Sequence, residues 1–553
     1  MSLKIRLFRD DRTCLALILP LALLLSVIGL GQRDLWDPDE PRAGLVVRSI
    51  LASGSWSALT LHDQPYFEKP PLYHWLAAAA SLPAGRVTEE SLRLPSSLAA
   101  VLCAVVVFTL GRALFGRRVG ALGAIVLCTS QDYFMEARTA HPDMLFTLLL
   151  ALAALAFHRA YARRGAVGWM ACFYAAVGLA ALTKGPLGLA LPALAILAYL
   201  ASLRDLSFAR RAGLAWGAPL ALLPSAIWLA AFRAGTGRNF PVGEALRRVG
   251  RRFAEGIHHA HPFTHVLSAL AIEFLPWIVF VPGALWLTFP RRGGRRDPDN
   301  AYLYAWVLVL FSVFALSVEK RGVYLLPLLP FLALLVGRFW DTALFDWDPP
   351  PGDRFIVGGL VAGVVLTAGA AAHVLPRLAA ETPALHRPGE ILTGLILLAG
   401  AAALVALRAS GGGAALAALA AGLLPCYLAI ALIVLPALDP FKSARPFSQR
   451  AVAAAAGAPL GIYPDPHDGL AFYAGRPITI LADRDQLGVF LRADPDAACL
   501  MEETQLELVR RDVSTQPRLP SLEAVDRAEV GHRAILLVRA ASPIAPPDGG
   551  TRR

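Results

Sequence analysis

Two short segments near the N-terminus gather residue types that handle an anionic group. The first reads Asp34-Leu-Trp-Asp37-Pro-Asp39-Glu40-Pro-Arg42, the second Gln64-Pro-Tyr66-Phe-Glu68-Lys69-Pro-Pro-Leu-Tyr73. Charges recur beside later apolar runs: Arg138, His141 and Asp143; Lys184; and Glu319, Lys320 and Arg321. Ionisable groups at such depth are costly and usually functional. A lipid-linked phosphate would explain both signs of charge. Lys and Arg would hold the phosphate at the membrane surface. A carboxylate would deprotonate or orient an acceptor hydroxyl for attack on a sugar carbon. The phosphate would then leave with its charge offset by cations or a metal. This chemistry needs no soluble nucleotide, so no nucleotide cofactor is expected. Plainer readings compete: Asp39 as a helix N-cap beside Pro41, Arg42 and Lys69 as snorkelling side chains, and Tyr66 and Tyr324 as members of an interfacial aromatic belt.

The elements that must position these residues are membrane spans. The chain has 553 residues, of which 17% are charged and 56% hydrophobic, with 46 glycines besides. Mean hydropathy is +0.54. A soluble domain has no surface for so much apolar material, which excludes an ordinary cytosolic enzyme, a disordered protein and a fibrous one. The net charge of +11 is read as loop charge rather than as affinity for nucleic acid, and no nucleic-acid partner is expected. Six cysteines, without CxxC spacing, form neither a disulfide framework nor a metal motif.

A span needs about 20 mostly apolar residues. The first candidate, Cys14–Leu30, follows Lys4, Arg6, Arg9 and Arg12 and is read as a retained anchor. Others centre on 93–110, 118–135, 143–161, 167–183, 186–203, 213–232, 266–289, 301–318, 322–341, 355–376, 390–408 and 414–438. The total is about thirteen passes. Short basic loops, such as Arg159/Arg163/Arg164 and Arg204/Arg210/Arg211, put the N-terminus in the cytoplasm. Segments 31–92, 233–265 and 439–553 then face the exterior. The expected organisation is a transmembrane domain over 1–438, an α/β domain over 439–541 and a disordered tail over 542–553. Strand-like runs Leu460–Tyr463, Ile478–Leu481 and Ala534–Val538, with helix-like Arg484–Arg492 and Glu502–Arg511 between them, carry the α/β reading.

Asp39-Glu40-Pro41-Arg42 followed by Pro65-Tyr66-Phe67-Glu68-Lys69-Pro70-Pro71 resembles the first periplasmic loop of the aminoarabinose transferases that modify lipid A, members of the GT-C superfamily with the protein O-mannosyltransferases. Thr183-Lys184-Gly185-Pro186, Lys320–Tyr324 and Phe472-Tyr473-Ala474-Gly475-Arg476-Pro477 extend the likeness over nearly the whole chain. The resemblance implies a polytopic GT-C fold with a small periplasmic C-terminal domain, in the inner membrane of a bacterium. It implies transfer of a monosaccharide from a polyprenyl (undecaprenyl) phosphate to a lipid or envelope acceptor such as lipid A. Asp39 resembles the principal catalytic carboxylate, and Asp143 a second acidic position. Arg42 and Lys69 resemble donor-phosphate contacts; Tyr66, Tyr324, Lys184 and Lys320 are further candidates. Glu68 resembles a metal ligand, with His259 as its partner in a histidine-rich loop, implying a divalent ion such as zinc. The chain departs from the family at Ala43-Gly44-Leu45 and in that loop. A protein acceptor, as in an O-mannosyltransferase, and a flippase for lipid-linked sugars are the rival expectations.

Overall fold

The computed structural model describes residues 10–254, 262–289, 297–346, 382–465, 467–513 and 519–541, with scattered residues between 358 and 380. The expected tail, 542–553, and His259 lie outside the described residues.

Eight helices among the described residues are long and apolar enough to cross a membrane. Thr264–Glu273 and Trp277–Thr288 meet at a bend of 111° and add a ninth if they form one span. The chain is thus a multi-span membrane protein. The apolar runs singled out in the sequence fall mostly on helix, with breaks at Thr129-Ser130 and at Phe274–Pro276, and the described residues of 355–376 are helical too. Three runs make shorter helices: Asp11–Val27, Arg117–Cys128 and Leu187–Ser202. Backbone groups in hydrocarbon must pair within their own segment, which is why uninterrupted apolar runs become helices.

Small residues set the closest packing. A Cβ on Gly120 would lie 2.3 Å from the carbonyl oxygen of Phe108, so Glu89–Phe115 and Arg117–Cys128 touch backbone to backbone. Between apolar helices such contact replaces hydrophobic driving force. A reciprocal capping box between Thr88 and Ser91 starts Glu89–Phe115.

Segment 31–92 folds as a cap rather than a slack loop. Helix Asp39–Ser53 begins after Pro38 and ends at Gly54 in the left-handed region. A two-stranded hairpin follows, β1 (Thr60–Leu61) with β2 (Gln64–Pro65). Its turn residues His62 and Asp63 both have positive φ, 50° and 62°, as a tight hairpin of this kind requires. Helix Leu72–Ser81 buries Tyr73, His74, Ala77 and Ala78. Tyr73 donates to the Leu92 carbonyl at 2.7 Å.

The C-terminal region carries a five-stranded mixed sheet of β3 (Leu460–Tyr463), β4 (Thr479–Ile480), β5 (Ala498–Glu502), β6 (Leu522–Val530) and β7 (Arg533–Ala540), in the order β4-β3-β5-β7-β6. β3 pairs in parallel with β4 and β5, and β7 runs antiparallel to β5 and β6. β5 and β6 were not expected. β5 is a short buried run like any core helix segment, and the alternation in β6 is spread over charged residues.

Candidate active site

Two adjacent acids at the start of helix Asp39–Ser53 have opposite fates. Glu40 is 3% exposed and faces inward. Arg33 donates to it at 2.7 Å, Arg93 at 2.8 Å and the Ala140 amide at 2.9 Å. Burial alone would raise its carboxyl, but Arg33 and Arg93 hold it far below the usual range. Arg93 also donates to the carbonyls of Leu30, Arg33 and Asp34. Glu40 therefore locks the loop onto the helices.

Asp39 faces the other way. Lys69 Nζ donates to its Oδ1 at 2.9 Å and Arg321 Nη2 to its Oδ2 at 3.1 Å. His141 Nε2 lies 3.7 Å from Oδ1. Burial would raise this carboxyl too; the His141 contact and the charges of Lys69 and Arg321 outweigh it and keep Asp39 ionised well below the ordinary range. His141 Nδ1 pairs with Asp143, a fully buried acid at the start of helix Pro142–Ala162, and Asp143 pairs in turn with Lys184. One chain of ionisable side chains thus runs Arg321–Asp39–His141–Asp143–Lys184.

This chain borders a cavity of about 350 Å³. Glu68, Lys69, His141, Asp143, Lys184, Arg321 and Tyr324 line its polar end, and Phe146, Leu187, Trp228, Leu229 and Phe314 its apolar part. A chamber lined by cations, Arg248 among them, and by apolar side chains matches an amphiphile whose anionic head meets the cations.

Not all the expected residues meet there: Asp39 itself does not line the cavity and borders it through Lys69, His141 and Arg321. Lys69, Asp143, Lys184, Tyr324 and Glu68 line the cavity. Tyr324 also donates to Glu319 at 3.2 Å. Arg42 does not line it: its Nε donates to Asp468 of the C-terminal domain at 2.8 Å, and its Nη1 reaches Glu68 at 3.5 Å. Tyr66 is buried edge-on against His74, and burial raises its phenol far above the usual value. Lys320 donates to the Ser317 carbonyl and lines a separate small pocket. Its neighbour Arg321, in extended backbone before Gly322–Leu328, reaches Asp39 instead. Arg321 and His141 were legible only as charges at span boundaries, and Asp468 carried no signal.

A metal finds only part of a site. Among the described residues no group of three or more His, Cys, Asp or Glu has metal-holding geometry. Glu68 is the single expected ligand described, and its carboxylate is engaged with Arg42. The described residues do not fit a metal by themselves.

Fold and site together define a multi-span membrane protein with a charged chamber beside its first loop. A family model described as dolichyl-phosphate-mannose-protein mannosyltransferase matches residues 68–230. The undecaprenyl phosphate-alpha-4-amino-4-deoxy-L-arabinose arabinosyl transferase of Pectobacterium carotovorum is 31% identical over 389 residues, 68% of this chain and 67% of that one. Its counterpart in Edwardsiella ictaluri is 29% identical over 366 residues, 64% of each chain. The matches to the first curated relatives span about three fifths of those proteins, 64% and 59%. The crystal structure of ArnT from Cupriavidus metallidurans bound to undecaprenyl phosphate superposes with a TM-score of 0.76 at 23% identity, covering 97% of this chain and 100% of that one. The Archaeoglobus fulgidus oligosaccharyltransferase superposes more loosely, with a TM-score of 0.52 at 14% identity over 90% and 70% of the two chains. The chain belongs to the aminoarabinose transferase family of the GT-C superfamily.

Proposed function

We propose that this chain transfers a monosaccharide from an undecaprenyl-phosphate donor to a lipid or envelope acceptor, such as lipid A, at the periplasmic face of a bacterial inner membrane. Its N-terminus is cytoplasmic and its C-terminal domain periplasmic in this reading. The observation that carries it is Asp39 held between Lys69 and Arg321, two cations that line a largely apolar chamber. An acceptor oxygen attacks the anomeric carbon, and the bond from that carbon to the phosphate oxygen breaks. The polyprenyl phosphate leaves with the bonding pair, and the displacement inverts the sugar in one step. Asp39, kept ionised, orients the acceptor and receives its proton late, as the new bond forms. Lys69, Arg321 and Lys184 offset the charge of the departing phosphate. Arg42 acts from the rim, through Glu68.

The test is transfer by the purified chain in lipid, with undecaprenyl-phosphate sugars as donors and lipid A and peptide as separate acceptors. Asp39→Ala is expected to lower turnover by at least a hundredfold with normal insertion. Wild-type turnover in that variant removes Asp39 from the mechanism. Lipid-linked sugar crossing vesicles without a new glycosidic bond makes the protein a flippase. The mannosyltransferase family match favours one second reading, a peptide acceptor, which the peptide arm decides. Zinc held by Glu68 and His259 is a separate proposal. Each ligand variant, Glu68→Ala and His259→Ala, is expected to lower bound metal; unchanged metal in both ends it.

A further inference from the structure

The C-terminal domain does more than sit above the helices. Its short helix Asp468–Tyr473 lies flush against helix Asp39–Ser53, the one that bears Asp39. A Cβ on Gly44 would come within 2.6 Å of the Phe472 ring, so the glycine lets the two surfaces close. The Gly469 amide donates to Asp37 Oδ1 at 2.8 Å, and a Cβ there would strike Asp37 Oδ2 at 2.3 Å. Arg48 donates to the Phe472 carbonyl at 2.9 Å and stacks over its ring at 4.4 Å.

Within this contact Asp468 stands apart. Its side chain is 2% exposed and uses both oxygens on the first loop. Oδ2 accepts from Arg42 Nε at 2.8 Å, and Oδ1 lies 2.8 Å from His62 Nε2. His62 sits at the hairpin tip with a left-handed backbone, so a strained turn is kept where it meets this carboxylate. Arg42 follows Asp39 by three positions on one helix, which puts the two side chains on neighbouring ground. A guanidinium not held elsewhere would compete with Lys69 and Arg321 for Asp39. Held by Asp468, it turns its Nη1 to Glu68, whose side chain lines the cavity.

We propose that Asp468 is a positioning residue: from the C-terminal domain it fixes Arg42, and through Arg42 it fixes Glu68 on the rim of the donor chamber. The inference rests on the proposed transfer reaction. It assigns the C-terminal domain a part in donor binding. Because Arg42 and Glu68 stand at the rim and not at the reacting atoms, the effect falls on KM for the donor more than on kcat.

The experiment uses the full chain in lipid and reads both transfer kinetics and binding of undecaprenyl phosphate alone. Asp468→Asn is expected to raise donor KM and the Kd for undecaprenyl phosphate about tenfold, the scale of one charge-assisted hydrogen bond, with kcat changed less than about twofold. Asp468→Glu keeps the charge and displaces it by one methylene; it gives a smaller rise and carries the test if the Asn variant does not accumulate. In an Arg42→Ala background either change adds less than about twofold, since both act through the same guanidinium. Arg445→Ala removes another ion pair across the same boundary, 2.6 Å to Asp34, and leaves donor KM unchanged. Unaltered KM and Kd in the Asp468 variants overturn the proposal, as does additivity with Arg42→Ala or an equal shift in Arg445→Ala, because Asp468 then only docks the domain. Wild-type protein that neither binds undecaprenyl phosphate nor transfers sugar overturns the underlying reading and this proposal with it.

Discussion

Asp39 and Glu40 are chemically near twins one residue apart, yet their surroundings part them. Glu40 meets two guanidiniums in the interior, while Asp39 meets a lysine, an arginine and a histidine at the edge of a cavity. The Asp39 carboxyl lies below its unfolded value of about 3.9. Its ionised form therefore contributes stability that is complete above that value and is lost as pH falls toward the folded one. The stability advantage of wild type over Asp39→Asn should be fully present at about pH 5, with His141 protonated, and shrink below about pH 4. Thermal unfolding across that range checks it; a difference that vanishes near neutrality contradicts the assigned partners. Arg321→Ala should weaken undecaprenyl phosphate binding about tenfold or more, whereas Lys320→Ala should change it less than about threefold. Equal losses would contradict the separate placements of Arg321 and Lys320.

At the scale of elements, the first loop is a cap pinned from two sides. Glu40, Arg33 and Arg93 fasten it to the helices below, and helix Asp468–Tyr473 presses on it from above. Removing one partner from a buried charge network strands the others in low dielectric. Glu40→Gln should cost about 3–5 kcal/mol of stability and lower the amount of folded protein in the membrane. Transfer per folded molecule should fall less than in Asp39→Ala, because Glu40 does not face the chamber. Melting curves in detergent beside single-turnover rates separate the two effects.

For the whole molecule, the charged chamber and the C-terminal domain belong to one face. In the proposed orientation, read from the basic loops, that face lies outside. Val489, 61% exposed on helix Arg484–Ala493, is a suitable site to test it. Val489→Cys should react with a membrane-impermeant thiol reagent in intact spheroplasts. Arg163→Cys, in a basic loop, should react only after permeabilisation. The opposite pattern would put the chamber on the cytoplasmic side.

Much of this was legible in one dimension. Apolar runs of sufficient length can only be helices in hydrocarbon, so 93–110, 143–161 and 167–183 announced themselves. Lys69 and Asp39 stood out because charged residues and prolines cluster in two tight motifs. Three things were decided only by tertiary structure: that Arg321 and not Lys320 reaches Asp39, that His141 links Asp39 to Asp143, and that Asp468 reaches back some four hundred residues to Arg42. The physical reason is one of range. Hydropathy and spacing act between neighbours along the chain, and a single sequence records them directly. Charge pairing across helices depends on which way each turn sends its side chains and on which surfaces the packed helices bring together. That information exists only once the chain has folded.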